Sequence, residues 1–425
     1  MSEDVSWRGS NLPRVGDFNQ TVVLNLIRQA ADGVSRVELA SRTGLSAQTV
    51  SNIVRRLTSA GLIAEAGKVS ARSRDATAGP GKPRTLLKLQ RQGRLAVGVQ
   101  IDPAMVSIAI VDLMGEVVRT VDLPLHGNDE PGAVLDSVAQ AVGMLVDEVR
   151  TGAEQILGLG VATPGPIDVV HGVMVKPPLM PRWANTGVRD ALALRTGLQV
   201  VFDSDANAIA VAEGWTSGAP STASFAVVYL GTGVGGGVVL NGEVLRGESG
   251  NGSDIAHLSV DPDGAPCRCG SRGCLGAECK PSTIVRRAAA AGLPGLDTAL
   301  EDPGDVAAAF ARFAAQVLDG DARAVEIAGR TAAHLARGAI VLAAALVLPS
   351  VAFAGPYWMP LAQWYLPRIE AELEGARTRW LEHPPAVSSS RVGAAVGAVG
   401  AACTVLDAAL SPRTTTLLVP PIPVD

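Results

Sequence analysis

Residues 34–63 read VSRVELASRTGLSAQTVSNIVRRLTSAGLI, and this stretch decides the fold of the N-terminal part of the chain. Ser35 is placed to cap a helix whose inner face would be Val37, Leu39 and Ala40. Gly44 then permits a tight turn, with Leu45 plugging it from below, and Ser46 caps a second helix in which Val50, Ile53, Val54 and Leu57 face inward. Ala40 is small where the two helices would cross closely. Two helices joined by a short glycine-containing turn match a helix-turn-helix. Ser46, Ala47, Gln48, Thr49, Ser51, Asn52, Arg55 and Arg56 are left on the outside of the second helix. Short hydroxyl and amide side chains suit base edges and nearby backbone, and the two arginines suit phosphates or guanine, so double-stranded DNA is the expected partner. An ordinary helical hairpin with a polar surface is the competing reading.

Working outward, Thr21–Ala31 repeats apolar positions at helical spacing, Leu62–Ala66 reads as a strand and Thr85–Leu89 as its partner. Between the strands lies GKVSARSRDATAGPGKPR, polar, basic and rich in Gly and Pro, which makes a wing. Its end, with Lys82 and Arg84, either lays a cation along a minor groove or is a disordered tip. Charge supports the division: residues 1–95 carry 15 Lys/Arg against 7 Asp/Glu, a net of +8, whereas the rest of the chain carries −13. A basic head on an acidic body points to a polyanion partner for the head alone. At 425 residues two or three domains are expected. No apolar run reaches the roughly 18 residues of a membrane span; the nearest is Gly338 to Leu348. The N-terminus shows acids, Trp7 and Arg8 but no signal-like apolar segment, so a cytoplasmic protein with no membrane partner is expected.

In the body, Leu95–Val111 alternates and is rich in β-branched residues, and Val117–Leu123 forms another strand. A helix over 131–150 and a strand Ile156–Ala162 follow. This order predicts a mixed sheet with helices packed on it, and strands at Phe225–Leu230 and Gly236–Leu240 predict a second α/β lobe. The sharpest chemical signal is His257 followed by CRCGSRGC, residues 267–274. The thiolates of Cys267, Cys269 and Cys274 with the His257 imidazole make a closed tetrahedral structural zinc site. Disulfides are the rival reading, disfavoured by the close spacing of Cys267 and Cys269 and by a reducing compartment. Cys279 and Cys403 are left as core or surface thiols. LGTGVGGGVV, residues 230–239, is a glycine-rich turn of the kind that can approach a phosphate, although many hairpins are glycine-rich. Asp205 follows a strand and precedes a helix, where a lone Asp is usually an N-cap.

The order of VATPGPID (161–168), FDSDANA (202–208), LGTGVGGG (230–237), DIAH (254–257), CRCGSRGC and VGAVGAA (396–402) resembles the ROK family of repressors and sugar kinases. The head looks like the winged helix-turn-helix of that family's repressor branch. The resemblance implies an α/β, two-lobed fold of the actin-like ATPase (ribonuclease H-like) kind. A first lobe over 93–210 would be completed by a C-terminal helix at 390–411, and a second over 211–389 would hold the zinc, behind a head at 1–92. It also implies dimers or tetramers. Against the family's Asp-x-Gly-Gly-Thr phosphate loop this chain sets Gln100 for the Asp, Asp102 and Pro103 for the glycines and Ala104 for the Thr. An acid and a rigid ring there should weaken phosphate binding, although Gly231, Thr232, Gly233, Gly235 and Gly236 remain of the second loop. Asp205 falls on the family's catalytic base and His257 on a residue that binds zinc and faces the sugar. Ser204 replaces an Asn and Asp254 a Glu, and Gly276 stands where a Glu follows Cys-Leu, with Glu278 two residues late. The expectation is a non-enzymatic regulator, a repressor, sensing a sugar-like effector through Ser204, Asp205, Asp254 and His257 and binding a palindromic operator. An unusual sugar, a sugar derivative or no ligand all stay open. The rivals are an ATP-dependent sugar kinase carrying a DNA-binding head, and a constitutive DNA-binding protein whose body only dimerises.

Overall fold

Ser35 and Ser46 start the quoted helices as their chemistry dictates. In the computed structural model, which describes residues 12–69, 84–125, 129–149, 155–218, 222–252, 254–296, 300, 303–377, 383–393 and 395–412, Ser35 accepts from the Glu38 N–H at 3.3 Å while Glu38 accepts from the Ser35 N–H at 2.8 Å. That reciprocal pair satisfies two donors that a helix start otherwise leaves open. Gly44 closes the helix in the left-handed conformation at φ 70°, and Ser46 caps the next by accepting from Thr49.

The N-terminal elements are α1 (Leu12–Gln29), β1 (Val34–Ser35), α2 (Arg36–Thr43), α3 (Ala47–Ser59), β2 (Ile63–Val69) and β3 (Arg84–Leu89). The strands form one sheet in the order β1-β3-β2, with Ile63 opposite Leu89. Val23, Ile27, Leu39, Val50, Ile53, Val54, Leu57, Ile63 and Leu87 fill its core. Val37 was expected inside and is 59% exposed. Two residues along a helix turn the side chain about 200°, so Val37 and Leu39 cannot share the inner face, and Leu39 takes it. Residues 70–83, most of the expected wing and Lys82 with it, lie outside the described residues.

The chain divides into two compact units, one of residues 1–95 with 112–114 and 406–425, the other of 96–111 with 115–405. The larger holds two five-stranded sheets. The first is built from β4 (Leu95–Asp102), β5 (Met105–Val111), β6 (Val117–Pro124), β7 (Ile156–Thr163) and, beyond the small strands β8 (Ile167–Asp168), β9 (Val173–Met174) and β10 (Thr186–Gly187), β11 (Val200–Ser204). Its order is β11-β7-β4-β5-β6. Helices α4 (Pro131–Glu148), α5 (Val188–Thr196) and α6 (Asp205–Thr216) accompany it. The second sheet combines β12 (Phe225–Leu230), β13 (Val234–Leu240), β14 (Glu243–Val244), β15 (Ser350–Ala354) and β16 (Ala386–Ser389) in the order β14-β13-β12-β15-β16. It is accompanied by α7 (Leu275–Cys279), α8 (Pro281–Ala290), α9 (Pro303–Leu318), α10 (Ala322–Leu346) and α11 (Ala362–Gly375). Its core gathers an aromatic cluster, with Trp358 stacked between Phe353 at 4.8 Å and Tyr365 at 5.6 Å.

The alternation read in 95–111 does not make β4 amphipathic: every residue of β4 is buried, as expected of a central strand covered on both faces. Part of that cover is α12 (Val396–Leu410), which lies at backbone contact. A Cβ at Gly98 would stand 2.0 Å from the Ala398 carbonyl oxygen, and one at Gly160 would stand 1.7 Å from that of Ala401. Residue 210 lies inside α6, and Gly237 and Gly400 bring β13 and α12 against that helix. Among the described residues no helix is long and apolar enough to cross a membrane.

Replacing Gly160 by Ala should destabilise the larger unit by about 3 kcal/mol or more, since the obstacle is backbone and overpacking of this kind has nowhere to relax. Thermal unfolding checks this, and an unchanged midpoint would contradict the close approach of α12.

Candidate functional site

The solvent side of α3 is polar along its length. Gln48, Ser51, Arg55 and Arg56 are exposed, and Thr49 and Asn52 are half-buried. Asn52 Oδ1 accepts from Gln48 Nε2 at 3.3 Å and from Arg55 at 3.0 Å, so three of these side chains are held in one row. Ser46 is engaged in the cap. Arg84 is exposed at the start of β3.

His257 and the cysteine loop come together as the spacing suggested. The ligand atoms of His257, Cys267, Cys269 and Cys274 all lie within 4.8 Å of one another, with His257 Nδ1 3.4 Å from Cys267 Sγ and Cys269 Sγ 3.6 Å from Cys274 Sγ. Those separations are the edges of a tetrahedron around a cation with bonds of about 2.0–2.3 Å. The loop turns back at Gly270 (φ 91°) and Gly273 (φ 58°), and a Cβ at Gly273 would lie 1.5 Å from the Asp261 carbonyl oxygen. Burial and the neighbouring sulfurs push the Cys274 thiol up to about 12, whereas the Ser271 N–H and then Cys267 bring Cys269 down to about 7. The donor set, three sulfurs and an imidazole, suits a soft divalent cation. The other ring nitrogen of His257 is 3.8 Å from Asp254 Oδ2, which places a carboxylate behind the imidazole. Cys279 and Cys403 are buried and stand apart from this group.

Glu278 acts from beneath the loop. It is fully buried and accepts from the Ala265 N–H at 2.6 Å and from the Arg287 guanidinium. Burial works to raise its carboxyl, yet the bonds from Ala265 and Arg287 hold it below the usual range. His334, on α10, reaches Asp261 at 3.6 Å, and Arg337 donates to the Val260 carbonyl at 2.8 Å. Asp261, Glu278 and His334 also cluster, but Arg287 already supplies the cation for Glu278. The sequence sets Glu278 two residues after the family's carboxylate position, where Gly276 stands. The structure gives Gly276 a place on the cavity wall and Glu278 none. Glu278 braces the cysteine loop instead, and only its acidity so close to that loop could have hinted at it.

Beside the metal group opens a cavity of about 610 Å3. Its walls include Ser204, Asp205, Asp254 and His257, all four expected there, together with Asp102, Asn251 and Lys280. Ser204 caps α6 by accepting from the Asn207 N–H, which puts Asp205 at the first turn. Burial raises the Asp205 carboxyl to about 7, so near neutrality it can either give or take a proton. Asn251 bonds both the N–H and the carbonyl of Ile167, tying its loop to β8.

The glycine-rich turn between β12 and β13 divides its work. Gly233, Gly235 and Gly236 line the cavity, whereas Gly231 packs against the Tyr229 ring. Thr232 Oγ1 donates to Asp102 Oδ1 at 2.6 Å, and the same oxygen accepts from the Ala104 N–H at 2.9 Å. A carboxylate thus sits between the two turns, taking the donors that another anion would need. Burial raises the Asp102 carboxyl despite these bonds. Gln100 Nε2 donates to the Tyr229 hydroxyl at 3.2 Å, a second bond between the two sheets.

Comparison with known proteins adds the following. Residues 96–408 match the ROK family and residues 12–72 the MarR family. The chain is 32% identical to a glucokinase of Thermotoga maritima over 191 residues, 45% of this chain and 58% of that one. It is 25% identical to the xylose repressor of Bacillus subtilis over 260 residues, 61% and 65% of the two. The chain thus spans about three fifths of the length of these curated relatives. A solved ROK family transcriptional regulator, described as a homologue of the E. coli MLC protein, superposes with a TM-score of 0.71 at 20% identity, covering 93% of this chain and 98% of that one. The fold is therefore that of a MarR-type winged helix-turn-helix followed by an α/β sugar-kinase-like body of the actin-like kind.

Glu278→Gln should leave all four metal donors in place yet loosen them about tenfold, because removing the support of a ligand loop weakens metal affinity by one to two orders of magnitude. Competition with a chromophoric chelator on the folded variant measures this; wild-type retention would show that Glu278 does not brace the loop.

Proposed function

The chain belongs to the ROK family, and from that footing we propose that it is a DNA-binding transcriptional regulator, a repressor, whose body senses a small polyhydroxylated effector. The observation that carries the proposal is the row Gln48–Asn52–Arg55 with Arg56 on the solvent face of α3, backed by a helix-turn-helix core. Ser46, Gln48, Thr49, Ser51 and Asn52 would read base edges or backbone, and Arg55, Arg56, Lys82 and Arg84 would meet phosphates or the minor groove. A dimer or tetramer would set two such helices in successive major grooves of a palindromic operator, and its workplace is the cytoplasm, where the DNA is. Relatives that include a xylose repressor and the DNA-binding transcriptional dual regulator NagC of Escherichia coli support this.

His257, Cys267, Cys269 and Cys274 would hold a zinc ion, which closes the loop and polarises the imidazole; with four protein donors it leaves no open position for catalysis. Ser204, Asp205, Asp254 and His257 would hold the effector's hydroxyls. Binding can shift the arrangement of the DNA-reading helices only through different affinity for the two arrangements. The lobes would run over 93–210 and 211–389, sharing α6.

A sugar kinase is the second reading, favoured by the glucokinase relatives and by Asp205 titrating near 7. Against it stands Asp102, whose carboxylate holds the Thr232 hydroxyl and the Ala104 N–H. A phosphate entering there would meet a negative charge where it needs donors. The remaining turn, Gly231, Thr232, Gly233, Gly235 and Gly236, would be a remnant of a phosphate site.

Two measurements test the proposal. Fluorescence anisotropy with DNA from upstream of the protein's own gene should show binding that survives nonspecific competitor. Arg55→Ala with Arg56→Ala should weaken it and lower the salt slope of log K by about 2; unchanged affinity and slope would dismiss α3 as the reading helix. Incubation with ATP and a hexose panel should give no phosphorylated sugar, and turnover would establish the kinase reading instead.

A further inference from the structure

Two side-chain bonds cross between the five-stranded sheets of the larger unit. Thr232, in the turn after β12, donates its hydroxyl to Asp102 at the end of β4, and Gln100 on the same strand donates to the Tyr229 hydroxyl on β12. Both ends of this crossing are stiff. The Gln100 side chain lies so close to α12 that a Cβ at Gly397 would stand 1.9 Å from its Oε1. On the other side, a Cβ at Gly231 would stand 2.4 Å from the Tyr229 ring, and one at Gly355 would stand 2.4 Å from the Leu230 carbonyl oxygen. Asp102 is only 9% exposed, too little for water to carry its charge. Among the described residues no cation acts on its carboxylate, which is met instead by the Thr232 hydroxyl, the Thr232 N–H and the Ala104 N–H. Main-chain and hydroxyl donors converging from a glycine-rich turn are what an oxyanion needs. Here the oxyanion is part of the chain.

We infer that Asp102 is a built-in anion: its carboxylate fills an oxyanion cradle formed by Thr232 and Ala104, and by filling it latches the two sheets together without any ligand. The cradle itself is intact, so with the carboxylate removed it takes a tetrahedral oxyanion such as inorganic phosphate. Because the partners on both sides are held at main-chain distance, neither turn can follow the other once the bond is lost, and the latch is what joins them. Asp102 also lines the cavity. An occupant that bonds its carboxylate competes with Thr232 and loosens the join, which makes Asp102 the point at which the cavity acts on the spacing of the sheets. The inference concerns the body alone and stands whether or not α3 reads DNA.

The test is amide hydrogen exchange of the full-length protein, read on peptides covering residues 231–236, with and without inorganic phosphate. Asp102→Gly should speed exchange there about tenfold, because a charge-assisted bond between stiff partners is lost. Asp102→Ala is measured beside it, and circular dichroism checks that each variant is folded. Millimolar phosphate should restore the protection in both variants and leave the wild-type protein unchanged. Asp102→Asn keeps an acceptor oxygen, so it should hold most of the protection and gain no response to phosphate. Adding Thr232→Val to Asp102→Gly should weaken the phosphate response about tenfold, since one donor of the cradle is gone. The latch is overturned if folded Asp102→Gly and Asp102→Ala exchange as the wild type does. The cradle is overturned if phosphate restores neither variant, if it protects the wild type equally, or if Thr232→Val leaves the response unchanged. Failure of the regulator reading shows separately, as absence of specific DNA binding by the wild-type protein.

Discussion

A single carbon added at Gly98 or Gly160 would collide with the backbone of α12, and a carbon at Gly400 would come within 2.5 Å of the Ala208 carbonyl oxygen on α6. Three surfaces thereby meet at main-chain distance: the centre of the first sheet, the last helix and the helix that begins with Asp205. Contacts of this kind cannot give by rotating a side chain, and protein interiors leave few voids to absorb a shift. The position of Asp205 at the cavity, and of Gln100 and Asp102 at the end of β4, is therefore set by packing that lies well away from any ligand. Small residues carry this close packing of the first sheet, α6 and α12.

On that frame the electrostatics are arranged by neighbours rather than by single residues. Asp102 and Asp205 both titrate high because burial removes water from them, and Asp102 adds to the charge cost of Asp205. Asp102 is kept in place by the Thr232 hydroxyl and the Ala104 N–H, so the two turns that could surround a phosphate are joined by an acid of the chain itself. Across the cavity the cysteine loop is braced from below by Glu278, Arg287, His334 and Arg337. The loop can be short and glycine-rich because that network, and not its own length, holds its geometry.

Much of this was legible in the chain. Helix caps, a left-handed glycine and the 3.6-residue period are local, so Ser35, Gly44, Ser46 and the buried row Val50, Ile53, Val54 and Leu57 are found where the sequence puts them. Three cysteines within eight residues and a histidine ten residues earlier also constrain one another over a short span, and the ligand atoms do converge. Val37 went the other way, because a two-residue step defeats any common helical face once Leu39 has turned inward. Strand β4, read as alternating, is buried on both sides because cover arrives from α12, some 300 residues further on.

The sequence by itself determined the polar row of α3, the His257 and cysteine group and the order of motifs that marks the family, since each depends on residues a few positions apart. Only the tertiary structure decided what Asp102 and Glu278 do. Asp102 meets its partner Thr232 across 130 residues, and Glu278 meets the base of a loop it follows. The free energy of a charge is set by what surrounds it, and those surroundings exist only when the chain is folded.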